Sequence, residues 1–96
     1  MDFEFDPAKN AANKQKHGLD FKAAQALWRD VDRIDFPVDC TVEPRNMMLA
    51  MLQGKLWTAV YTMRGERVRI ISVRRARIQE RELYDQAEKE NHGEGI

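Results

Sequence analysis

Apolar and polar positions alternate most regularly between residues 45 and 76, where three apolar runs are broken by short turns. The first run is Arg45-Asn46-Met47-Met48-Leu49-Ala50-Met51-Leu52, the second spans residues 56–63 and the third residues 68–74. Gln53-Gly54-Lys55 and Arg64-Gly65-Glu66-Arg67 separate them. Runs of this length bounded by Gly-containing turns read as consecutive antiparallel strands, so the pattern predicts a three-stranded meander. Along the second strand Trp57, Ala59, Tyr61 and Met63 share one face, and Leu56, Thr58, Val60, Thr62 and Arg64 share the other. In the third, Arg69, Ile71 and Val73 alternate with Val68, Ile70, Ser72 and Arg74. With one face packed on helices, the opposite face collects Thr58, Thr62, Arg64, Ser72 and Arg74. A polar, cationic strip of this kind is also what the solvated side of a half-covered sheet looks like.

The flanks carry helical signals. Phe3 and Phe5 alternate with acidic residues, which suits a short edge strand, and Asp6-Pro7 then opens a helix, with Asp as N-cap and Pro at the first helical position. Ala8, Ala11, Ala12 and Gln15 give that helix a narrow apolar face, and Gly18 takes its left-handed cap position. Lys14, Lys16 and His17 fill its last turn, where positive charge suits the helix dipole. Asp20 caps a second, short helix with Phe21, Ala24, Leu27 and Trp28 at helical spacing. Residues 34–42 contain Pro37 and read as a connection with a short edge strand. Beyond Arg74 the period changes to about 3.6, and Ala76, Glu80, Leu83, Tyr84 and Ala87 fall on one face of a third helix. These elements predict an α+β domain over residues 1–90: an antiparallel sheet packed on one face by two N-terminal helices and a C-terminal helix. Residues 91–96, with His92, form a frayed tail.

Composition adds a local field. The net charge of the 96-residue chain is zero, yet residues 45–81 hold nine Lys/Arg against two Glu, mostly arginine, between acidic flanks. Local field rather than net charge attracts an anionic ligand, and arginine suits bidentate phosphate recognition. Cys40 is the only cysteine, which excludes an intramolecular disulfide and a cysteine zinc cluster and fits a reducing cytoplasm. The acidic N-terminus is unlike a secretory signal, and the longest apolar run, residues 47–52, is too short to span a bilayer. The two histidines lie far apart among scattered acids, so no metal site and no cofactor is expected.

Several stretches together resemble the BrnT family of type II toxins. They are Lys16-His17-Gly18 after a Pro-started helix, Phe21 opening the next, Val60-Tyr61-Thr62-Met63-Arg64-Gly65, Arg69-Ile70-Ile71-Ser72-Val73-Arg74-Arg75-Ala76, and Glu80-Arg81 shortly before Tyr84. The resemblance covers residues 3–84. It implies a small fold similar to RelE-type ribonucleases, an activity that cuts RNA and inhibits translation, and a hetero-oligomer with a neutralising BrnA-type antitoxin, through which alone operator DNA is bound. Val73 stands where the family usually has Ala, Pro44 separates Glu43 from Arg45, and Ala50 stands where Gly is common.

Metal-free RNA cleavage asks for a base at the ribose 2′-OH, cations at the phosphate and a proton for the 5′-oxygen. Fixed cations are the largest expected term. Arg64 and Arg74, at strand ends on the polar face and matching the family motif, are the first catalytic candidates; Arg45 and Arg75 follow as RNA contacts, with Lys16, Thr62 and Ser72 positioning the phosphate. His17 has the pKa for proton transfer and equally the place of a capping residue beside Gly18. Glu43, Tyr61 and Tyr84 are lesser candidates. Trp28 and Trp57 read as buried, so binding is expected to be phosphate-led and salt-sensitive. The alternative is a non-catalytic interaction module, a degenerate toxin whose arginine strip binds a protein partner or nucleic acid. A direct DNA-binding regulator is disfavoured, because no helix carries a basic recognition face.

Overall fold

The two turns of the meander form by backbone chemistry alone. A computed structural model describes residues 1–38 and 43–91, so Cys40 and His92 lie outside the described residues. Strands β3 (Arg45–Leu52) and β4 (Lys55–Arg64) meet at Gln53-Gly54, both at positive φ (54° and 76°), as a two-residue type I′ hairpin requires. Between β4 and β5 (Arg67–Arg75) Gly65 alone has positive φ, 62°, which marks a type II′ turn. β2 (Ile34–Val38) pairs antiparallel with β3, and β1 (Asp2–Glu4) pairs parallel with β5. The sheet order is β1-β5-β4-β3-β2.

One irregularity changes which side chains share a face. Val60 pairs with Ser72 and Tyr61 with Ile70, which leaves Ile71 as the extra residue of a β-bulge. Ile70 and Val73 therefore enter the same core, together with Met48, Ala50, Trp57, Ala59, Tyr61 and Val68. Regular alternation groups Arg69 and Ile71 with Val73; the bulge instead turns Arg69, Ile71, Ser72 and Arg74 to the opposite face.

The first face is covered by α2 (Phe21–Ala24) and its 3-10 continuation Gln25–Arg29, which bury Phe21, Ala24 and Leu27. Helix α1 (Pro7–His17) has the expected caps: Asp6 Oδ1 accepts from Ala8 N at 2.8 Å, and Gly18 (φ 82°) donates to Lys14 O at 2.9 Å. Its inward side, however, is polar. Ala8, Ala11, Ala12 and Gln15 are exposed, while Asn13 is 7% exposed. Asn13 Oδ1 accepts from Val73 N (3.2 Å), its Nδ2 donates to Leu19 O (2.7 Å), and Asn10 Oδ1 accepts from Phe21 N (2.6 Å). β1 pairs with β5 only as far as Arg69, so the remaining edge of β5 needs hydrogen-bond partners that an alkyl face cannot supply.

Helix α3 (Ile78–Asn91) lies on the second face, contrary to the single covered face expected from the sequence. Tyr84 packs there against Leu49 and Leu56, flanked by Ile34, Phe36, Met51 and Ala76. The α+β class stands, but the sheet is mixed and helices cover both faces. Leu83, expected inward, is 51% exposed, because Tyr84 takes the packed position. Asp30 joins the layers at the edge of β3 beyond the end of β2: its Oδ2 accepts from Met51 N (2.8 Å) and from the Tyr84 hydroxyl (2.6 Å).

Candidate nucleic-acid interface

Strand register lays the second face out in rows. Leu49, Thr58 and Arg74 form one row, Met47, Val60 and Ser72 the next, and Thr62 and Arg69 the one after; Arg64 and Arg67 end the sheet. α3 packs on the first of these rows; in the more open rows beyond it Met47, Val60, Ser72 and Arg69 are half-buried and Thr62 is buried. Since Arg74 stands opposite Thr58, six residues from Arg64 on β4, the two arginines are about 20 Å apart at the usual strand rise. They do not converge on one phosphate.

Each has a different electrostatic life. Arg74 makes a bidentate pair with Glu80, Nη1 to Oε1 at 2.9 Å and Nη2 to Oε2 at 2.8 Å. Glu80 also accepts from the Thr58 hydroxyl (2.9 Å) and, reaching back as a capping-box glutamate does, from Arg77 N (2.8 Å). The Arg74 hydrogen bonds, partly opposed by burial and helped by Arg77 N and Thr58, hold the Glu80 carboxyl at a pKa of about 2; the same pair raises Arg74 above its ordinary value. Arg64 is half-exposed and, among the described residues, its one ion pair is with the Glu43 carboxylate, at 3.8 Å. Arg45 Nε is buried and has no hydrogen-bond partner among the described residues. Arg69, in the row of Thr62, is paired with Glu4 at 2.8 Å.

The other expected site residues scatter. Thr62 is 4% exposed, and its hydroxyl donates to Pro44 O at 2.6 Å, which pins the backbone between Glu43 and Arg45 to β4. Ser72 is half-buried in the open part of the second face. Arg75 is on the first face, its guanidinium 5.5 Å from the centre of the Trp57 ring, a cation–π contact. Lys16 is exposed and His17 half-buried at the end of α1, one turn after Asn13 and away from the open rows. The structure thus groups Arg45, Arg64 and Thr62 towards one end of the second face, places Ser72 between them and Arg74, and puts Arg75, Lys16 and His17 elsewhere.

Tyr61 and Tyr84 are tied to carboxylates. Tyr61 donates to Asp35 at 2.5 Å and Tyr84 to Asp30; burial first, then these bonds, push both phenols above their ordinary pKa. Burial also pushes Asp30 upward, but the Tyr84 hydroxyl, the Met51 and Asp32 amides and Arg33 outweigh it and leave the carboxyl below its ordinary value. Asp30 and Asn13 escape sequence reasoning, for each acts on a backbone amide more than twenty positions away, with no local signal.

Among the described residues no three His, Cys, Asp or Glu side chains are placed to hold a metal ion, and no helix is long and apolar enough to cross a membrane. A shallow cavity of about 310 Å³ between Met1, Phe3, Gln25, Trp28 and Arg29 belongs to the other side of the sheet. The open rows also carry half-buried Val38, Met47, Val60 and Ile71 between the cations.

No curated protein matches the chain significantly. A family model described as the ribonuclease toxin, BrnT, of type II toxin-antitoxin systems matches residues 5–80, a span that contains the arginine, lysine and histidine candidates but not Tyr84, and ends in the first turn of α3. On this match, the chain belongs to the BrnT family of type II ribonuclease toxins.

Proposed function

We propose that the protein cleaves RNA without metal at the open rows of the second face, where Arg45 and Arg64 bind the scissile phosphate. The observation that carries this reading is Arg45 Nε, a buried donor without a partner beside a second arginine that is only loosely held. An unpaired buried donor costs about 1–3 kcal/mol; turning the guanidinium outward onto a phosphate oxygen relieves that cost. Fixed guanidinium groups then stabilise the extra charge of the transition state. Ser72 borders the phosphate and Thr62 holds the Arg45 segment in place. Arg74, neutralised by Glu80, positions α3. Lys16, His17 and Arg75 contribute only to distant contacts with a longer RNA.

In the cell the reading is of a cytoplasmic toxin that inhibits translation and is neutralised by a BrnA-type antitoxin, which alone contacts operator DNA. Val38, Met47, Val60 and Ile71 favour a second reading, a non-catalytic module that binds a protein on the same surface, because phosphate recognition has no use for half-buried apolar side chains. The test is incubation of end-labelled RNA with the purified chain in the presence of a chelator, alone and with ribosomes. Products ending in 2′,3′-cyclic phosphate, absent with folded Arg45→Ala and Arg64→Ala, support the ribonuclease. Intact RNA in every reaction supports the binding module.

A further inference from the structure

We propose that Glu43 is the general base of the cleavage, an assignment that rests on the ribonuclease reading above. In this step the Glu43 carboxylate takes the proton of the ribose 2′-hydroxyl, the 2′-oxygen bonds to phosphorus, and the bond from phosphorus to the 5′-oxygen breaks. Water supplies a proton to the departing 5′-oxygen, leaving a 2′,3′-cyclic phosphate and a 5′-hydroxyl.

The argument begins with the acids that are already committed. Glu80 accepts from Arg74, Thr58 and Arg77 N under α3, and Glu4 is paired with Arg69 at 2.8 Å. Asp30 and Asp35 accept from Tyr84 and Tyr61, Asp35 from the first face. A carboxylate held by a short bond to a guanidinium or hydroxyl is less available to a substrate hydroxyl than one that is not. Glu43 differs: its contact with Arg64 is 3.8 Å, longer than a hydrogen bond, and its side chain is 32% exposed.

The backbone beside it is nonetheless held. The Thr62 hydroxyl holds Pro44 O at 2.6 Å, between Glu43 and Arg45. The carboxylate thus stands two residues from the unpartnered Arg45 Nε and against the Arg64 guanidinium, with Arg67 opposite Arg64 as the next cation. A phosphate bound by the two arginines brings the neighbouring 2′-hydroxyl to the only acid of the described residues in contact with either. The competing acid in sequence is Glu66, exposed in the turn between β4 and β5 and, among the described residues, without an ion pair to either arginine. His17, the expected proton carrier, is away at the end of α1.

The test compares the full chain with Glu43→Gln and Glu66→Gln, each checked for folding by circular dichroism, on end-labelled RNA in chelator over a series of pH values. Loss of a general base lowers the rate by about 10²–10⁴-fold. The expected result is that loss in Glu43→Gln, disappearance of the acidic limb of the wild-type pH–rate profile, and an unchanged Glu66→Gln. A residue that merely positioned Arg64 would lower the rate but leave the acidic limb where it was, which overturns the assignment. So does a Glu43→Gln enzyme that cuts within tenfold of wild type, while the ribonuclease reading survives. Failure of the wild type itself to cut, on naked or ribosome-bound RNA, defeats the reading and the assignment together. Should Glu43→Gln not fold, Glu43→Asp carries the test: a base one methylene shorter gives a slower enzyme with its acidic limb retained, and an unaltered rate overturns the proposal.

Discussion

The two ends of the second sheet face hold the same kind of side chain in opposite electrostatic states. At one end Arg74 is neutralised by two short bonds to Glu80 and roofed by α3; at the other Arg45 has a buried donor without a partner among the described residues and Arg64 meets Glu43 only at 3.8 Å. An arginine on a motif is therefore not a functional arginine by residue type. A guanidinium already matched to a carboxylate has little left to offer a phosphate, and what it contributes is stability. One left unmatched raises the free energy of the empty protein slightly and lowers that of the complex.

The largest effect expected from this contrast is catalytic. Arg45→Ala or Arg64→Ala should lower RNA cleavage by about 10²–10³-fold, the usual loss for one fixed transition-state donor, while the thermal midpoint barely moves, because neither side chain has a strong partner to abandon. Arg74→Ala should do the reverse. It strands the half-buried Glu80 carboxylate and should cost roughly 3 kcal/mol, read by chemical denaturation, while the remaining folded protein keeps its cleavage rate. Rapid cleavage by Arg45→Ala, or a stable but dead Arg74→Ala, would invert the comparison.

Acid sharpens it further. The Glu80 carboxyl is held at about 2, below its ordinary 4.5, so the stabilisation is complete above pH 4.5 and is lost as the pH falls towards 2. At about 1.4 kcal/mol per pH unit this amounts to roughly 3 kcal/mol, and the acid dependence should flatten in Arg74→Ala. A smaller effect is expected at the other anchor of α3. Tyr84→Phe removes the hydroxyl that Asp30 accepts and should cost about 1–2 kcal/mol in denaturant midpoint, with the Met51 amide still bonded to Asp30. The smallest is in salt dependence: removing Arg45 or Arg64 should reduce the slope of log affinity for single-stranded RNA against log salt by about 0.7, one phosphate contact, and removing Arg74 should leave it unchanged.

Much of the fold is legible because its signals are local. Gly54 and Gly65 sit where the hairpins need positive φ, Asp6 and Asp20 accept from the amides that open their helices, and the three long strands fall where the apolar runs do. The site was legible only in part. Arg64, Thr62, Ser72 and Arg74 share a face as the alternation implies, Arg45 joins it from β3, Arg75 points to the opposite face, and His17 is not near the open rows. The alanine side of α1 is exposed, against its apolar spacing, because that spacing predicts burial only where the neighbour is apolar, and here the neighbour is an open strand edge.

By itself the sequence determined the caps, the turns, the strand lengths and the basic middle of the chain, since each depends on a residue's own φ preference, its hydrogen bonds within a few positions, or its charge. The family follows from the same residues in the same order. Only the tertiary structure decided which face α3 covers, where β5 takes its extra residue, and which arginine finds a carboxylate. Those outcomes depend on contacts such as Arg74 with Glu80, Tyr84 with Asp30 and Asn13 with Val73 N. Their partners are chosen by packing across the sheet, and no periodicity along the chain encodes that choice.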